Sequence, residues 1–187
     1  MPTIATPQPS RRRIMTAGAA AAGVISVGAN GFGTNAFGAD DGVTHDAEAI
    51  RQTPQFRARR ARVYRALMSA DQFDRVTQLS GVMQSSARPS MQAATTISPL
   101  EGGAFALFGG YITGRHIELV PDTRIVQAWR VGSWEPGVFS IARFQLVDHD
   151  GGTRIIFDHT GFPTGRGEHL ASGWHQHYWE PLAKYLS

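Results

Sequence analysis

The second half of the chain changes its hydrophobic period, and this change constrains the fold more than any other feature of the sequence. From Gly102 to Thr160, apolar residues alternate with polar ones, which is typical of half-buried strands. From Glu168 onward, large apolar residues recur every four positions, at Leu170, Trp174, Tyr178 and Leu182. This spacing places them on one face of a helix. The chain must therefore pack a series of strands against a long final helix.

Short polar segments separate the strand-like stretches. Pro121-Asp122-Thr123 is a turn signal, and the run from Asp148 to Gly152 has hairpin-turn chemistry. We therefore expect a mostly antiparallel sheet, with the final helix covering one face. Pro181 is expected to kink or break that helix, because proline removes a backbone donor.

The segment before the sheet predicts one strand and two short helices. The pattern of residues 50–56 predicts a short strand, which Pro54 confines to an edge or a strand end. The stretch from Arg60 to Met68 has one apolar helical face. Ser69 with Gln72 forms a capping-box pattern that predicts the start of a second helix, ending at Gly81. Residues 82–101 contain two prolines and are expected to form a long loop with at most one edge strand.

The N-terminus is typical of an export signal. Three arginines, Arg11, Arg12 and Arg13, precede an apolar stretch rich in Ala and Gly. That stretch is too short to cross about 30 Å of hydrocarbon as a helix, so a cleaved signal fits better than an anchor. The paired arginines resemble twin-arginine signals, which export folded proteins.

The signal defines the expected domain boundaries. Small side chains at Ala36-Phe37-Gly38 predict cleavage near residue 38. We divide the chain into a twin-arginine-type signal at 1–38, a flexible lead-in at 39–49 and a single domain at 50–187. The protein is then expected in the periplasm or outside the cell, with no membrane span in its mature form and the twin-arginine machinery as an export partner.

Charge and cysteine content exclude several classes of function. The chain has 18 basic and 15 acidic residues, and residues 1–38 hold three of the arginines and no acid. The remaining domain therefore has 15 basic and 15 acidic residues. It has no excess of positive charge with which to bind nucleic acid. The chain has no cysteine, so disulfides and thiolate metal sites cannot form. His175 and His177 lie two apart on a helix and point to different faces, so no metal is expected. No phosphate-binding or dinucleotide-binding glycine motif is present, so no other cofactor is expected.

Several motifs together resemble one known family. They are Gly102-Gly103-Ala104-Phe105, the stretch from Gly114 to Arg130, and the stretch from Gly173 to Leu182. Residues 50–187 resemble the C-terminal-domain-like family of heat-shock protein 90 ATPase activators, within the START-like (SRPBCC) helix-grip superfamily. The resemblance implies an α+β helix-grip fold: a curved antiparallel sheet wrapped around a long C-terminal helix, with two short helices after the first strand. It also implies a cavity between sheet and helix that holds an apolar molecule in many relatives.

Such a cavity needs an apolar lining and a few polar groups that orient the ligand. The candidate ligand-binding residues share aromatic or polar side chains at strand or helix spacing: Phe105, Tyr111, Trp129, Phe139, Arg143, Trp174, His177 and Tyr178. The leading expectation is an exported protein that binds a small apolar or lipid-like molecule without catalysis.

Two alternatives remain open from the sequence. His116 and Glu118 would share one face of a regular strand, so a cyclase- or hydrolase-like cavity enzyme could use them with His177 for proton transfer. A periplasmic interaction or folding-factor module is the third class. Activation of a chaperone ATPase is not expected, because that partner is cytosolic and the chain carries an export signal.

Overall fold

The computed structural model describes residues 48–81 and 94–187. Three of the expected segments lie outside the described residues: the signal at 1–38 with Arg11 and Arg12, most of the lead-in, and residues 82–93 of the loop. No helix in the described ranges is long and apolar enough to cross a membrane.

Within residues 48–81 and 94–187, the sheet has eight strands, and every neighbouring pair is antiparallel, as predicted. Their bounds are β1 (Ala49–Gln52), β2 (Gln55–Phe56), β3 (Thr96–Ile97), β4 (Ala104–Leu107), β5 (Ile112–Val120), β6 (Arg124–Val131), β7 (Ser140–His149) and β8 (Gly152–Thr160). The strand order is β1-β8-β7-β6-β5-β4-β3, and β2 also pairs with β8. Pro54 lies between β1 and β2, so the predicted first strand is divided into two short edge segments.

Within the described ranges, two complete helices precede the long hairpins, as predicted. Helix α1 (Arg60–Met68) has the predicted bounds, and α2 (Ala70–Thr77) begins after Ser69, whose hydroxyl accepts a hydrogen bond from the Gln72 amide at 3.4 Å. Helix α2 ends four residues before Gly81, the predicted end. A short 3-10 turn (Phe108–Gly110) connects β4 to β5.

The C-terminal helix consists of three consecutive segments: α3 (Gly167–Trp174), a π-helical turn (His175–Trp179) and α4 (Glu180–Leu186). Pro181 does not end the helix. It lacks the N–H that would reach the Gln176 carbonyl five residues earlier in a π-helical pattern. Ser80 Oγ donates to that carbonyl at 3.1 Å, so the carbonyl remains hydrogen-bonded. The wider turn therefore accommodates Pro181 within a continuous helix.

Both predicted hairpins are tight turns. The turn from β5 to β6 contains Asp122 at φ 59°, and the turn from β7 to β8 contains Asp150 at φ 48° and Gly151 at φ 76°. Asp and Gly tolerate this left-handed region better than other residues. The consecutive positive φ values at Asp150 and Gly151 suit the twist of a two-residue hairpin.

The core lies between one face of the sheet and the helices. Along β6, Ile125, Trp129 and Val131 are buried in alternation with more exposed residues. The C-terminal helix contributes Trp174 and Leu182 to the same core. One face of the sheet thus grips the C-terminal helix, and this arrangement positions the cavity described below.

Candidate ligand-binding cavity

A cavity of about 250 Å³ lies between the C-terminal helix and the β5–β6 side of the sheet. This is slightly less than the roughly 300–1,000 Å³ of sites that hold drug-sized molecules. Its lining residues are mostly apolar or aromatic: Phe108, Tyr111, Ile112, Trp129, Val131, Ser133, Trp134, Arg166, His169, Leu170, Ser172, Gly173, Trp174, Gln176, His177 and Tyr178. The space suits one small molecule.

The strand side of the cavity follows from alternation along β5 and β6. Ile112 pairs with Val131 in the sheet, and both are buried on the inner face. Trp129 lies two residues before Val131 and therefore on the same face. Trp134, after the end of β6, packs edge to face against Trp129 with ring centroids 5.6 Å apart. The strands therefore supply a wall of aromatic and branched side chains.

The helix side of the cavity comes from α3 and the π-helical turn. Trp174, the last residue of α3, contacts Tyr178 with ring centroids 4.2 Å apart and Trp129 at 5.4 Å. Tyr178 also packs against Phe108 of the 3-10 turn at 5.5 Å. π-helical turns often occur at functional sites. Here the turn brings His177 and Tyr178 to the cavity beside Trp174.

Three polar atoms of lining residues have no hydrogen-bond partner in residues 48–81 or 94–187: Trp129 Nε1, His177 Nδ1 and Tyr178 Oη. Trp129 is 3% exposed and Tyr178 is 6% exposed. Burial raises the pKa of the Tyr178 phenol well above its usual value, and an interaction with the Trp129 indole N–H, outside normal hydrogen-bond geometry, opposes this only in part. Both side chains are therefore neutral at physiological pH, with unused hydrogen-bonding capacity.

The side chains at the cavity that can carry a charge at physiological pH are basic. Arg166 and His169 line it as exposed residues, and no Asp or Glu is among the lining residues. Burial lowers the pKa of His177, and the charge of His169 lowers it further. Arg166 is therefore the permanent charge at the cavity.

A buried chain of hydrogen bonds supports the cavity wall. Trp174 Nε1 donates to His159 Nδ1 at 2.9 Å, and Ser140 Oγ donates to the Trp129 carbonyl at 2.9 Å. Ser140 Oγ and His159 Nε2 lie 2.7 Å apart. Because the single hydroxyl proton goes to the carbonyl, His159 Nε2–H must be the donor in this pair. The arrangement requires a neutral imidazole and links the helix to three strands, β6, β7 and β8.

The structure brings five of the eight predicted site residues to the cavity: Tyr111, Trp129, Trp174, His177 and Tyr178. The other three lie elsewhere. Phe105 is buried in the core beside His116, with ring centroids 5.3 Å apart. Phe139 is 47% exposed and contacts the Arg130 guanidinium, 5.7 Å from its ring centroid. Arg143 is exposed on the outer face, because its neighbours in β7 point inward.

A β-bulge separates the pair proposed for proton transfer. The register of β5 against β6 shifts between His116 and Glu118. His116 consequently faces the core at 1% exposure, whereas Glu118 forms an outer-face ion pair with Arg124 at 2.6 Å. The prediction that His116 and Glu118 share a face is therefore wrong. His116 is also not among the residues that line the cavity with His177.

Several lining residues were not selected from the sequence. Phe108, Ile112 and Leu170 line the cavity, although each looks like an ordinary core residue in its element. The chain of hydrogen bonds through His159 and Ser140 was also missed, because it joins residues 19 apart across two strands. Within residues 48–81 and 94–187, no group of three or more His, Asp or Glu residues could hold a metal ion.

Sequence comparison places the chain among known relatives. Residues 57–187 match the family model "Activator of Hsp90 ATPase homolog 1-like protein". The chain is 31% identical over 90 residues to the human activator of 90 kDa heat shock protein ATPase homolog 1, covering 48% of this chain and 27% of that protein. It is 36% identical over 88 residues to the Dictyostelium discoideum homolog, covering 46% and 23%. The matches thus span about a quarter of these curated relatives.

Solved structures share the fold at low sequence identity. An HSP90 activator from Plasmodium falciparum superposes with a TM-score of 0.58 at 22% identity, covering 70% of this chain and 89% of that one. CalU16 from Micromonospora echinospora gives 0.58 at 18%, covering 75% and 77%. These likenesses support the helix-grip architecture. Since the family model covers most of the chain, from α1 through the C-terminal helix, this protein belongs to the activator of Hsp90 ATPase homolog 1-like family.

Proposed function

We propose that this protein is an exported carrier or receptor that binds one small, largely apolar molecule in the cavity between β6 and the C-terminal helix, without chemical conversion. The observation that carries the proposal is the cavity of about 250 Å³ with an aromatic lining. Trp129, Trp174 and Tyr178 supply broad apolar surfaces, which provide most of the affinity at such sites.

Export by the twin-arginine route is part of the proposal. It rests on the arginines at positions 11 to 13 and the apolar stretch that follows them. Because this route carries folded proteins, the domain could leave the cytosol with a ligand already enclosed.

The experiment is native mass spectrometry of the protein purified from the compartment in which it accumulates. We expect a mass above that of the bare polypeptide, with the excess released on denaturation. If gentle preparations show only the polypeptide mass, and no lipid or metabolite extract raises the melting temperature, the binding proposal is wrong.

Gly173 offers a variant that obstructs the cavity. A Cβ built at Gly173 meets no atom within 4 Å, and this residue lines the cavity. Gly173→Leu should therefore fill space that a ligand would occupy, while removing a helix-disfavouring glycine. We expect the fraction of protein that carries the co-purified molecule to fall at least about tenfold. The free energy of unfolding should be unchanged or higher.

Ala183→Leu is the matched control for Gly173→Leu. Ala183 is an exposed residue of α4 and does not line the cavity. We expect it to retain the co-purified molecule at the wild-type level. Equal loss in both variants would show that the effect of Gly173→Leu is not located at the cavity.

A second candidate is a chaperone-activator module, because the relatives named as activators of the 90 kDa heat shock protein ATPase are 31% and 36% identical to this chain over 90 and 88 residues. An assay of that chaperone's ATPase with added domain tests it. Stimulation that survives Gly173→Leu would favour a protein-interaction role independent of the cavity. The third candidate, a cavity enzyme, lacks the convergent His116, Glu118 and His177 that it requires.

A further inference from the structure

We propose that the bound molecule is an aromatic or short-chain carboxylic acid whose carboxylate ion-pairs with Arg166 at the cavity. This inference rests on the proposed binding function and specifies the class of ligand.

The charged side chains that line the cavity are all basic. Arg166 and His169 line the cavity, and no acidic residue does. The nearby acids Glu48 and Glu168 instead line a separate groove beside β1, which Arg51 also lines. Residues from 165 to 169 therefore present basic side chains to the cavity and one acidic side chain, that of Glu168, to the groove.

One of these acids, Glu48, is already hydrogen-bonded to the backbone. Glu48 accepts hydrogen bonds from the Gly165 amide at 2.8 Å and the Gly167 amide at 2.9 Å, one from each carboxylate oxygen. It thereby neutralises the N-terminus of α3. None of the ion pairs in residues 48–81 and 94–187 involves Arg166 or His169. The Arg166 guanidinium thus has no ion-pair partner among the described residues, and it adjoins an apolar space.

The lining then defines the remainder of the ligand. Aromatic rings of Trp129, Trp174 and Tyr178 favour a flat or short apolar body. A guanidinium binds a carboxylate through two parallel donors, which a neutral ligand cannot match. Apolar walls beside the Arg166 guanidinium fit a molecule that has an apolar body and a single carboxylate at one end.

Three probes of similar size test this: 2-naphthoate, 2-acetylnaphthalene and 2-ethylnaphthalene, which differ only in the acidic, ketone or hydrocarbon group. Affinities are measured by calorimetry on the full chain at low and moderate salt. We expect 2-naphthoate to bind most tightly. Its advantage over the ketone should shrink as salt rises, because added salt screens an exposed ion pair.

Arg166→Gln removes the proposed partner, and Arg75→Gln is its control, since Arg75 is exposed on α2 and away from the cavity. We expect Arg166→Gln to weaken 2-naphthoate binding by about three- to fivefold, the scale of a solvent-exposed ion pair. The ketone should bind Arg166→Gln as it binds the wild type. Arg75→Gln should change neither affinity.

The outcomes separate this inference from the binding proposal. If the three probes bind with equal affinity and Arg166→Gln changes none of them, the acidic class is wrong and binding of apolar molecules stands. If the two neutral probes bind and the acid does not, the inference is again overturned. If no probe binds and native mass spectrometry shows only the bare polypeptide, both proposals fail.

Discussion

His159 is a buried histidine whose hydrogen bonds require it to be neutral. Its ring contacts Trp129, Phe157, Phe162 and Trp174, and no charged side chain is among these contacts. Burial lowers its pKa from 6.5 to about 4. The unfolded chain therefore binds a proton at a higher pH than the folded protein does, and acid favours unfolding.

We predict that the free energy of unfolding falls as pH drops from about 6.5 to about 4. A shift of this size corresponds to a loss of up to about 3 kcal/mol. Urea denaturation at pH 7 and pH 4.5 measures it. His159→Gln can keep both hydrogen bonds without titrating, so its loss over this range should be smaller by about 2 kcal/mol. An equal loss in the two proteins would contradict the assignment to His159.

Tyr178 provides a second prediction at the residue scale. Its hydroxyl is buried without a well-formed hydrogen bond in the described part of the chain, because its interaction with the Trp129 indole N–H lies outside normal hydrogen-bond geometry. An unpaired buried polar group costs about 1–3 kcal/mol. Tyr178→Phe should therefore raise the free energy of unfolding by about 1 kcal/mol.

Removing the ring as well provides the contrast. Tyr178→Ala should lower the free energy of unfolding by about 3–5 kcal/mol, because the ring packs against Trp174 and Phe108. Chemical denaturation measures both changes. A loss above 1 kcal/mol in Tyr178→Phe would mean that the hydroxyl has a partner in solution.

Gly114 in β5 determines how closely two strands and a ring can approach. A Cβ at Gly114 would lie 2.1 Å from the Ala128 carbonyl oxygen and 2.4 Å from a Phe105 ring carbon. The backbone oxygen cannot rotate away. Phe105 therefore reaches the core by lying over a position that has no side chain.

Gly114→Ala is expected to destabilise the protein by about 2 kcal/mol or more, at the upper end of the cost of overpacking. Gly173→Ala is the control, because its new methyl meets nothing within 4 Å and replaces a helical glycine. The control should be stabilised by about 1 kcal/mol. Thermal denaturation distinguishes the two, and equal melting temperatures would contradict the packing argument at Gly114.

The elements differ in how far the sequence predicts them. Helix α1 and both hairpin turns were predicted correctly, because an apolar helical face and the turn residues Pro, Asp and Gly are local signals. The bulge after His116 was not predicted, since alternation assumes a regular strand. The π-helical turn was missed because Pro181 signals only that a donor is absent, whereas the compensating Ser80 lies 96 residues away from Gln176.

The candidate site was only partly predictable for a related reason. Trp129 and Trp174 were identified because large aromatic residues at regular spacing face the core. The same rule selected Phe139, which lies just before β7 and is exposed. Whether an inward-facing side chain meets a neighbour or an empty space depends on the packing of distant elements. Spacing therefore identified the inner face and did not locate the cavity within it.

At the scale of the whole molecule, export should change the charge of the protein. The full chain has a net charge of +3, and its sequence pI is about 9.8. Removing residues 1–38 removes three arginines and no acid. We predict that the exported form focuses at least about two pH units lower than the precursor, because its acidic and basic residues then balance.

Isoelectric focusing with intact-mass analysis of cytosolic and exported fractions tests this. A variant with Arg11→Lys and Arg12→Lys should stay uncleaved and remain in the cytosol, because lysine preserves the positive charge but removes the paired arginines that the export route requires. An exported protein with the full precursor mass would contradict cleavage. Export of the double variant at the wild-type level would contradict the twin-arginine route.

The crowding of aromatic side chains also has an optical consequence. All four tryptophans of the chain are buried, and three of them, Trp129, Trp134 and Trp174, line the cavity. The fourth, Trp179, stacks on Trp174 with ring centroids 5.8 Å apart. At such separations, excitation of one indole is shared among its neighbours, so a change at one ring alters the emission of the group. We therefore expect the intrinsic fluorescence of the native protein to change, without any added label, when a molecule enters this cavity.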